Sequence, residues 1–236
     1  MNSPNTQPES LAGQLRTLIH QGSLGPGDRL LPERELAEQL GVGRDSLREA
    51  IKLLQGSGYV VVRRGAHGGT FVTELEEPYA RWLTSMREDL DELNDILDFR
   101  IAIETRAAAL AAERRDEDDL ASQRIAIEQL VEAEGRSSFR LADSAFHAAV
   151  AHAARNRRLE SSIQYARGEL FSPTDHLWFT ELIESCRRGH QAIYEAINRR
   201  DPRGAAQAME AHIEDTRADL WALLGVERPE VGETRK

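Results

Sequence analysis

The stretch PERELAEQLGVGRDSLREAIKLLQGSGYVVV, residues 32–62, constrains the fold of this chain more tightly than any other. Leu36, Ala37 and Leu40 take helical spacing and stop at Gly41, and Leu47, Ala50, Ile51 and Leu54 resume it on the far side of Gly43. Only Gly41-Val42-Gly43 lies between, which leaves room for a tight turn joining two short helices and nothing else. Pro32 is expected at the first position of the earlier helix, with Glu33 and Glu35 where the helix dipole favours acids. After Gly56-Ser57-Gly58 the pattern becomes strand-like. Tyr59-Val60-Val61-Val62 and Thr70-Phe71-Val72-Thr73 flank a basic, glycine-rich tip and predict a β-hairpin. Upstream, Leu11, Leu15, Leu18 and Ile19 predict a further helix ending near Gly22, and Pro26-Gly27 marks a turn. Helix, helix-turn-helix and hairpin in this order make a winged helix-turn-helix domain over residues 8–73.

The remainder reads differently. Residues 74–80 begin Glu74-Leu75-Glu76-Glu77-Pro78, acidic and without periodicity, and are expected to form a linker. Beyond them no strand signal occurs. Residues 89–114 carry a long amphipathic pattern through Leu93, Ile96, Leu97, Ile101 and Leu110. Further helices are expected over 116–134, 138–155, 158–170, 177–199 and 202–224, broken at Gly135, Asn156, Ser172-Pro173 and Asp201-Pro202. The fold class is therefore mainly α, with an N-terminal winged helix-turn-helix followed by an all-α antiparallel helical bundle over residues 81–226. At 236 residues, 40% hydrophobic and 30% charged, the chain can bury a core in each part. No apolar run reaches membrane-spanning length, and no basic-then-apolar leader opens the sequence. Cys186 is the single cysteine, which excludes an internal disulfide framework and fits a reducing cytoplasm; the thiol is read as structural.

The formal net charge of −10 argues against a nucleic-acid partner only until its distribution is considered. Residues 1–75 hold eight basic and eight acidic side chains, so the excess acid lies wholly in 76–236. Within 40–73, Arg44, Arg48, Lys52, Arg63 and Arg64 face two acids, a balance of +3. In a helix-turn-helix the N-terminal residues of the second helix meet base edges in the major groove. Arg44, Arg48 and Lys52 form one stripe there, away from the apolar face, with Ser46 near the helix start. Arginine can grip guanine through O6 and N7 together. Arg64 at the hairpin tip can reach phosphate or the minor groove, and Gly65 lets the backbone approach. Gly43 leaves the helix N-terminus open, where bare N–H groups are natural phosphate ligands. The plainer alternative is a solvated face with local pairs such as Asp45 with Arg48.

A second constellation lies in the bundle. Asp143 and His147, four apart in RLADSAFHAAVA, share one helix face. His190 precedes Asp201 by eleven residues and His212 follows it by eleven, so in an antiparallel pair turning at Asp201-Pro202 they stand at the same level. Three imidazoles and one carboxylate suit a divalent cation such as zinc or nickel, with a position left open for water or ligand. His20, His67, His152 and His176 carry no such pattern and are read as ordinary polar residues.

The run from Pro26 to Val72, PGDRLLPERELAEQLGVGRDSLREAIKLLQGSGYVVVRRGAHGGTFV, resembles the N-terminal domain of GntR-family bacterial transcription regulators. The resemblance implies that Arg34, Arg44, Ser46, Arg48, Arg64 and Gly65 contact DNA. Gly43 and Asp45 depart from the Ser or Thr and the uncharged residue common at those positions, which bears on the operator sequence. LDFRIAIETRAAALAAE at 97–113, D-x3-H and the later histidines resemble the C-terminal FCD-type effector domain of the FadR subgroup. That resemblance implies a metal on Asp143, His147, His190 and His212, and a small carboxylate or sugar-acid effector clamped by Arg100. Asn156 and Trp178 are expected to line the pocket, and Arg100 has an alternative partner in Glu104 at i, i+4. Together the two resemblances imply a metabolite-responsive transcription regulator, a repressor, acting as a homodimer on a short palindromic double-stranded DNA operator with half-sites of the GT…AC kind. Two alternatives are a metalloenzyme hydrolysing a substrate at the Asp/His site, and a regulator whose metal is purely structural.

Overall fold

A computed structural model of the chain describes residues 7–65, 68–134, 136–170 and 179–226. It divides into two compact units, one built on residues up to 85 with the short segment that starts at Gly168, the other on the remaining residues from 86 onward.

In the first unit, α1 (Gln7–His20), α2 (Glu33–Leu40) and α3 (Arg44–Gly56) are followed by β1 (Val60–Arg63) and β2 (Gly69–Val72). Leu47, Ala50, Ile51 and Leu54 of α3 are buried against α1 and α2, together with Leu11, Leu15, Ile19, Leu36 and Ala37. Leu18, placed on the same apolar stripe by its spacing, is 37% exposed. Pro32 is the N-cap of α2 in an extended conformation, so the helix begins one residue later than the sequence implied. Gly41 closes α2 in the left-handed region at φ 65°, the geometry that lets α3 start three residues on. β1 and β2 pair antiparallel from Val60 with Val72 to Arg63 with Gly69. Residues 27–30 add a third line of backbone bonds to β2, with Leu30 N–H donating to Thr70 O and Val72 N–H to Asp28 O. That extra strand segment has no alternating pattern to announce it.

The expected linker at 74–80 is partly helical, because α4 runs Glu76–Glu88. Proline is tolerated in the first turn, where its missing N–H has no helical partner, so Pro78 marks a helix start here and not a break. In the second unit, α5 (Leu90–Arg114), α6 (Glu117–Val131), α7 (Arg136–Ala153), α8 (Arg157–Arg167), α9 (Phe179–Asn198) and α10 (Pro202–Leu224) form the bundle. Helix α5 is its axis and packs on α7, α8, α9 and α10. Over Ala107–Ala112 it is buried on all sides, and the small side chains there let neighbouring backbones come close. Asp116 and Asp119 form a capping box at α6 that Arg155 grips from α7's end. Asp201 caps α10 with Pro202 in its first turn, the hinge on which the His190–His212 register depends. No helix among the described residues is long and apolar enough to cross a membrane.

Candidate functional site

On the first unit, α3 presents its charged stripe to solvent: Arg44, Asp45, Arg48, Glu49 and Lys52 are all exposed. Two of the three cations hold acids. Arg48 Nε donates to Glu33 at 2.7 Å and lies 3.6 Å from Asp45, while Lys52 pairs with Glu49 at 2.7 Å. Exposed pairs of this kind are worth about 0–1 kcal/mol, so exchange for phosphate is cheap. Arg34, Arg44 and Arg64 are exposed and have no carboxylate partner among the described residues. Ser46 is half-buried and donates to Gln7 Oε1 at 3.3 Å, so its hydroxyl is turned toward α1. Gly43 caps α3 without a side-chain hydrogen bond, leaving the first N–H groups uncapped by a side chain. Gly65 holds φ 110° at the wing tip, a region that favours glycine. Arg63, beside it, lies over the Phe71 ring at 4.8 Å.

In the second unit the four expected metal-binding side chains converge. Asp143 and His147 come from α7, His190 from α9 and His212 from α10, and one donor atom of each lies within 4.8 Å of all the others. His147 Nε2 and His212 Nε2 face each other at 3.2 Å, and Asp143 Oδ1 lies 3.3 Å from His190 Nε2. The three imidazoles are buried, and Phe146 stacks on His190 at 3.9 Å between centroids. Burial above all lowers the pKa of each: His147 is pulled down to about 4, and His190 and His212 are also lowered. At neutral pH they are therefore uncharged, the form in which an imidazole can offer a lone pair to a cation.

Glu104 sets the tautomer. Its Oε2 accepts from His147 Nδ1 at 2.5 Å, which leaves the His147 Nε2 lone pair facing inward. Its other oxygen accepts from Arg100 Nε at 2.7 Å, the internal ion pair that stood as the alternative for Arg100. Burial would raise the Glu104 pKa, but Arg100 and His147 outweigh it and hold the carboxyl ionised. Asp143 is kept ionised in the same way: burial opposes it, and the Arg167 guanidinium, bonded to Oδ2, prevails. Among the described residues only Nε of Arg100 is engaged, so its two terminal nitrogens remain available. The donor set, the tautomer and the separations fit a divalent cation.

The two remaining effector positions stand apart from this cluster. Asn156 does not join the constellation: its Oδ1 accepts from the backbone of Arg158 and Leu159, capping α8. It lies nine residues beyond His147 and past the end of α7, so the side chain is spent on a helix start, which the chain break at that point already signalled. Trp178 lies outside the described residues. Sequence reasoning missed Arg167 as the partner of Asp143, although the two stand twelve residues either side of Arg155 in the short turn between α7 and α8, the same kind of count that pairs His190 with His212. It also missed Gly189, where a Cβ would meet His212 Nδ1 at 2.5 Å, so that position gives the imidazole its room.

A winged helix-turn-helix unit followed by a helical bundle with a buried His/Asp cluster defines a class: DNA-binding regulators with a separate sensor-type domain. The comparisons agree. The model of bacterial regulatory proteins of the gntR family matches residues 7–72, and that of the FCD domain matches 95–215. An Escherichia coli K12 regulatory protein named for the L-lactate dehydrogenase operon is 35% identical, over 89% of this chain and 84% of its own length. The transcriptional regulator LutR of Bacillus subtilis is 32% identical over 83% and 93%, and the Uxu operon transcriptional regulator of E. coli K12 is 31% identical over 93% and 88%. Among solved structures, E. coli McbR/YncC shares the fold with a TM-score of 0.58 at 22% identity, covering 93% of this chain and 99% of that one. This chain belongs to the GntR family of transcription regulators and carries an FCD domain. Its relatives are regulators and not enzymes, which removes the metalloenzyme alternative.

Proposed function

We propose that this protein is a metal-dependent, metabolite-responsive repressor that binds a palindromic operator as a homodimer and leaves it when a small hydroxy acid or sugar acid enters the bundle. The observation that supports this most is the buried cluster of Asp143, His147, His190 and His212, which belongs to a different unit from the cationic stripe of α3. On the operator, Arg44 reads bases, Arg34, Arg48 and Arg64 hold phosphates or groove edges, and Gly65 brings the wing backbone close, with Ser46 near the helix start.

Charge bookkeeping favours an anion as the effector. Before loading, the guanidinium groups of Arg100 and Arg167 balance the carboxylates of Glu104 and Asp143. A bound dication, zinc or nickel, supplies Lewis acidity and two uncompensated positive charges in a buried place, which an anionic ligand offsets. Arg100 can keep Glu104 on Nε and offer its terminal nitrogens to a carboxylate. Lactate, the 2-hydroxy acid in the name of one E. coli relative, has the carboxylate and adjacent hydroxyl that such a site accommodates.

The test is fluorescence anisotropy on metal-loaded protein and a duplex recovered from random-sequence selection, titrated with L-lactate, pyruvate and sugar acids. One acid is expected to weaken binding by about 5–150-fold, the usual span of allosteric coupling. Arg100→Ala should retain operator affinity and lose that response. Indifference to every acid, with metal present, would remove the sensor from this reading.

A further inference from the structure

Cys186 stands in the same relation to His190 as Asp143 does to His147: four residues earlier on one helix face, α9 in one case and α7 in the other. Its sulfur lies 3.4 Å from Asp143 Oδ1 and 3.5 Å from His190 Nε2. Those two atoms are themselves 3.3 Å apart. Sulfur, oxygen and nitrogen thus form a nearly equilateral triangle. Neighbouring ligands of one four- or five-coordinate zinc, with bonds of about 2.0–2.1 Å to nitrogen or oxygen and about 2.3 Å to sulfur, are separated by roughly 2.9–3.6 Å. His190 is fully buried, its ring is stacked on Phe146, and its Nδ1 has no hydrogen-bond partner among the described residues, so its polar contacts are all made by Nε2 within this cluster. Cys186, half-buried, also packs against the apolar cluster of Leu130, Ala133, Phe139 and Ala142, which explains a small side chain there but not the approach of its sulfur to two metal-ligating atoms.

We propose that Cys186 is an inner-sphere ligand, so that the site is a mixed oxygen, nitrogen and sulfur centre and not the Asp/His set alone. This rests on the metal reading given under the proposed function. On loading, the S–H bond breaks, a metal–sulfur bond forms and the proton passes to solvent. The thiolate then offsets one of the two excess positive charges. A soft donor biases the site toward zinc, cobalt(II) or other thiophilic cations and away from manganese or magnesium.

Cobalt(II) titration of the metal-free, full-length protein under anaerobic conditions tests this. Visible d–d bands report a cation in a low-symmetry protein site; a near-ultraviolet thiolate-to-cobalt charge-transfer band reports sulfur ligation. The native protein should show both, and Cys186→Ser should keep the visible bands and lose the near-ultraviolet one. X-ray absorption of the zinc-loaded native protein needs no variant and should contain a sulfur shell at about 2.3 Å. Visible bands without charge transfer, and no sulfur shell, would overturn the role of Cys186 while leaving the metal intact. No cobalt signal of either kind would overturn both.

Discussion

Two ion pairs of equal length mark the difference between the halves of this molecule. Arg48 and Glu33 meet at 2.7 Å on the DNA-binding unit, with side chains 48% and 41% exposed. Arg100 and Glu104 meet at the same 2.7 Å in the bundle, with side chains 5% and 1% exposed. In water the first pair competes with hydration and salt and contributes about 0–1 kcal/mol. In the interior, neither partner can turn to solvent, and removing one leaves a buried charge at a cost of about 3–5 kcal/mol. A surface that must exchange carboxylates for phosphates benefits from pairs that open cheaply. A site in which Glu104 must hold the His147 imidazole in one tautomer needs a pair that does not open.

Matched substitutions can break that comparison. Glu104→Gln keeps the shape but leaves Arg100 uncompensated, and should cost about 3–5 kcal/mol in urea unfolding of the metal-free protein. Glu33→Gln should stay within about 1 kcal/mol. Equal losses would mean that the bundle interior screens charge as well as the surface does. Glu104→Gln should also weaken metal binding by about 10–100-fold, because the His147 tautomer loses its anchor. Isothermal titration of the folded variant reads that directly.

Acidification should act on the bundle next. His147, held at about 4, and the lowered His190 and His212 stay uncharged in the folded protein, whereas in the unfolded chain they take up protons near 6.5. Between 6.5 and about 4 the unfolded state therefore binds more protons, and the metal-free fold loses stability as the pH falls. Glu104 and Asp143, held below the usual carboxylate range, add to the loss at still lower pH, with the same sign. A melting temperature of the metal-free protein that stays flat from pH 7 to 4 would contradict the burial of these rings.

A smaller effect is expected on the DNA side. Arg44 has no carboxylate partner among the described residues, so Arg44→Ala should leave the melting temperature unchanged. It should lower affinity for the selected operator by about 1–3 kcal/mol, roughly 5-fold to 150-fold, and relax the preference at one base pair. An equal loss on unrelated duplexes would assign Arg44 to phosphate and not to a base.

The same contrast explains what could be read in advance. Helix α3 and its turn were legible because apolar spacing, Gly41 and the β-branched run after Gly58 are local signals. The meeting of His190 and His212 was legible because Asp201-Pro202 fixes one antiparallel turn and counting does the rest. Pro78 misled because acid and proline signal a loop and a helix's first turn equally well. Asn156, expected at the pocket, also caps α8, a use that the chain break at that point signals. Arg167 was open to the same count, since it and Asp143 stand twelve residues either side of Arg155, but Cys186 was not: α9 does not follow α7 in the chain, and nothing in the sequence states how those two helices are rotated about their axes.

The finest test concerns the bare start of α3. Gly43 has φ −69° and ψ 143°, an extended conformation open to any residue, and a Cβ there would meet nothing nearer than Ser46 Oγ at 3.9 Å. Gly43→Ser therefore fits without strain and can cap the helix, gaining a few tenths of a kcal/mol (roughly a degree or two in melting temperature). If α3 is held on DNA by its side chains, operator affinity should change by no more than about twofold, the equivalent of about 0.4 kcal/mol. A larger loss, paired with that gain in stability, would show that the uncapped N–H groups are themselves phosphate ligands which the new hydroxyl has taken over. The DNA-binding unit would then resemble the bundle in one respect, with a helix end left unsatisfied in the free protein because its partner is the ligand.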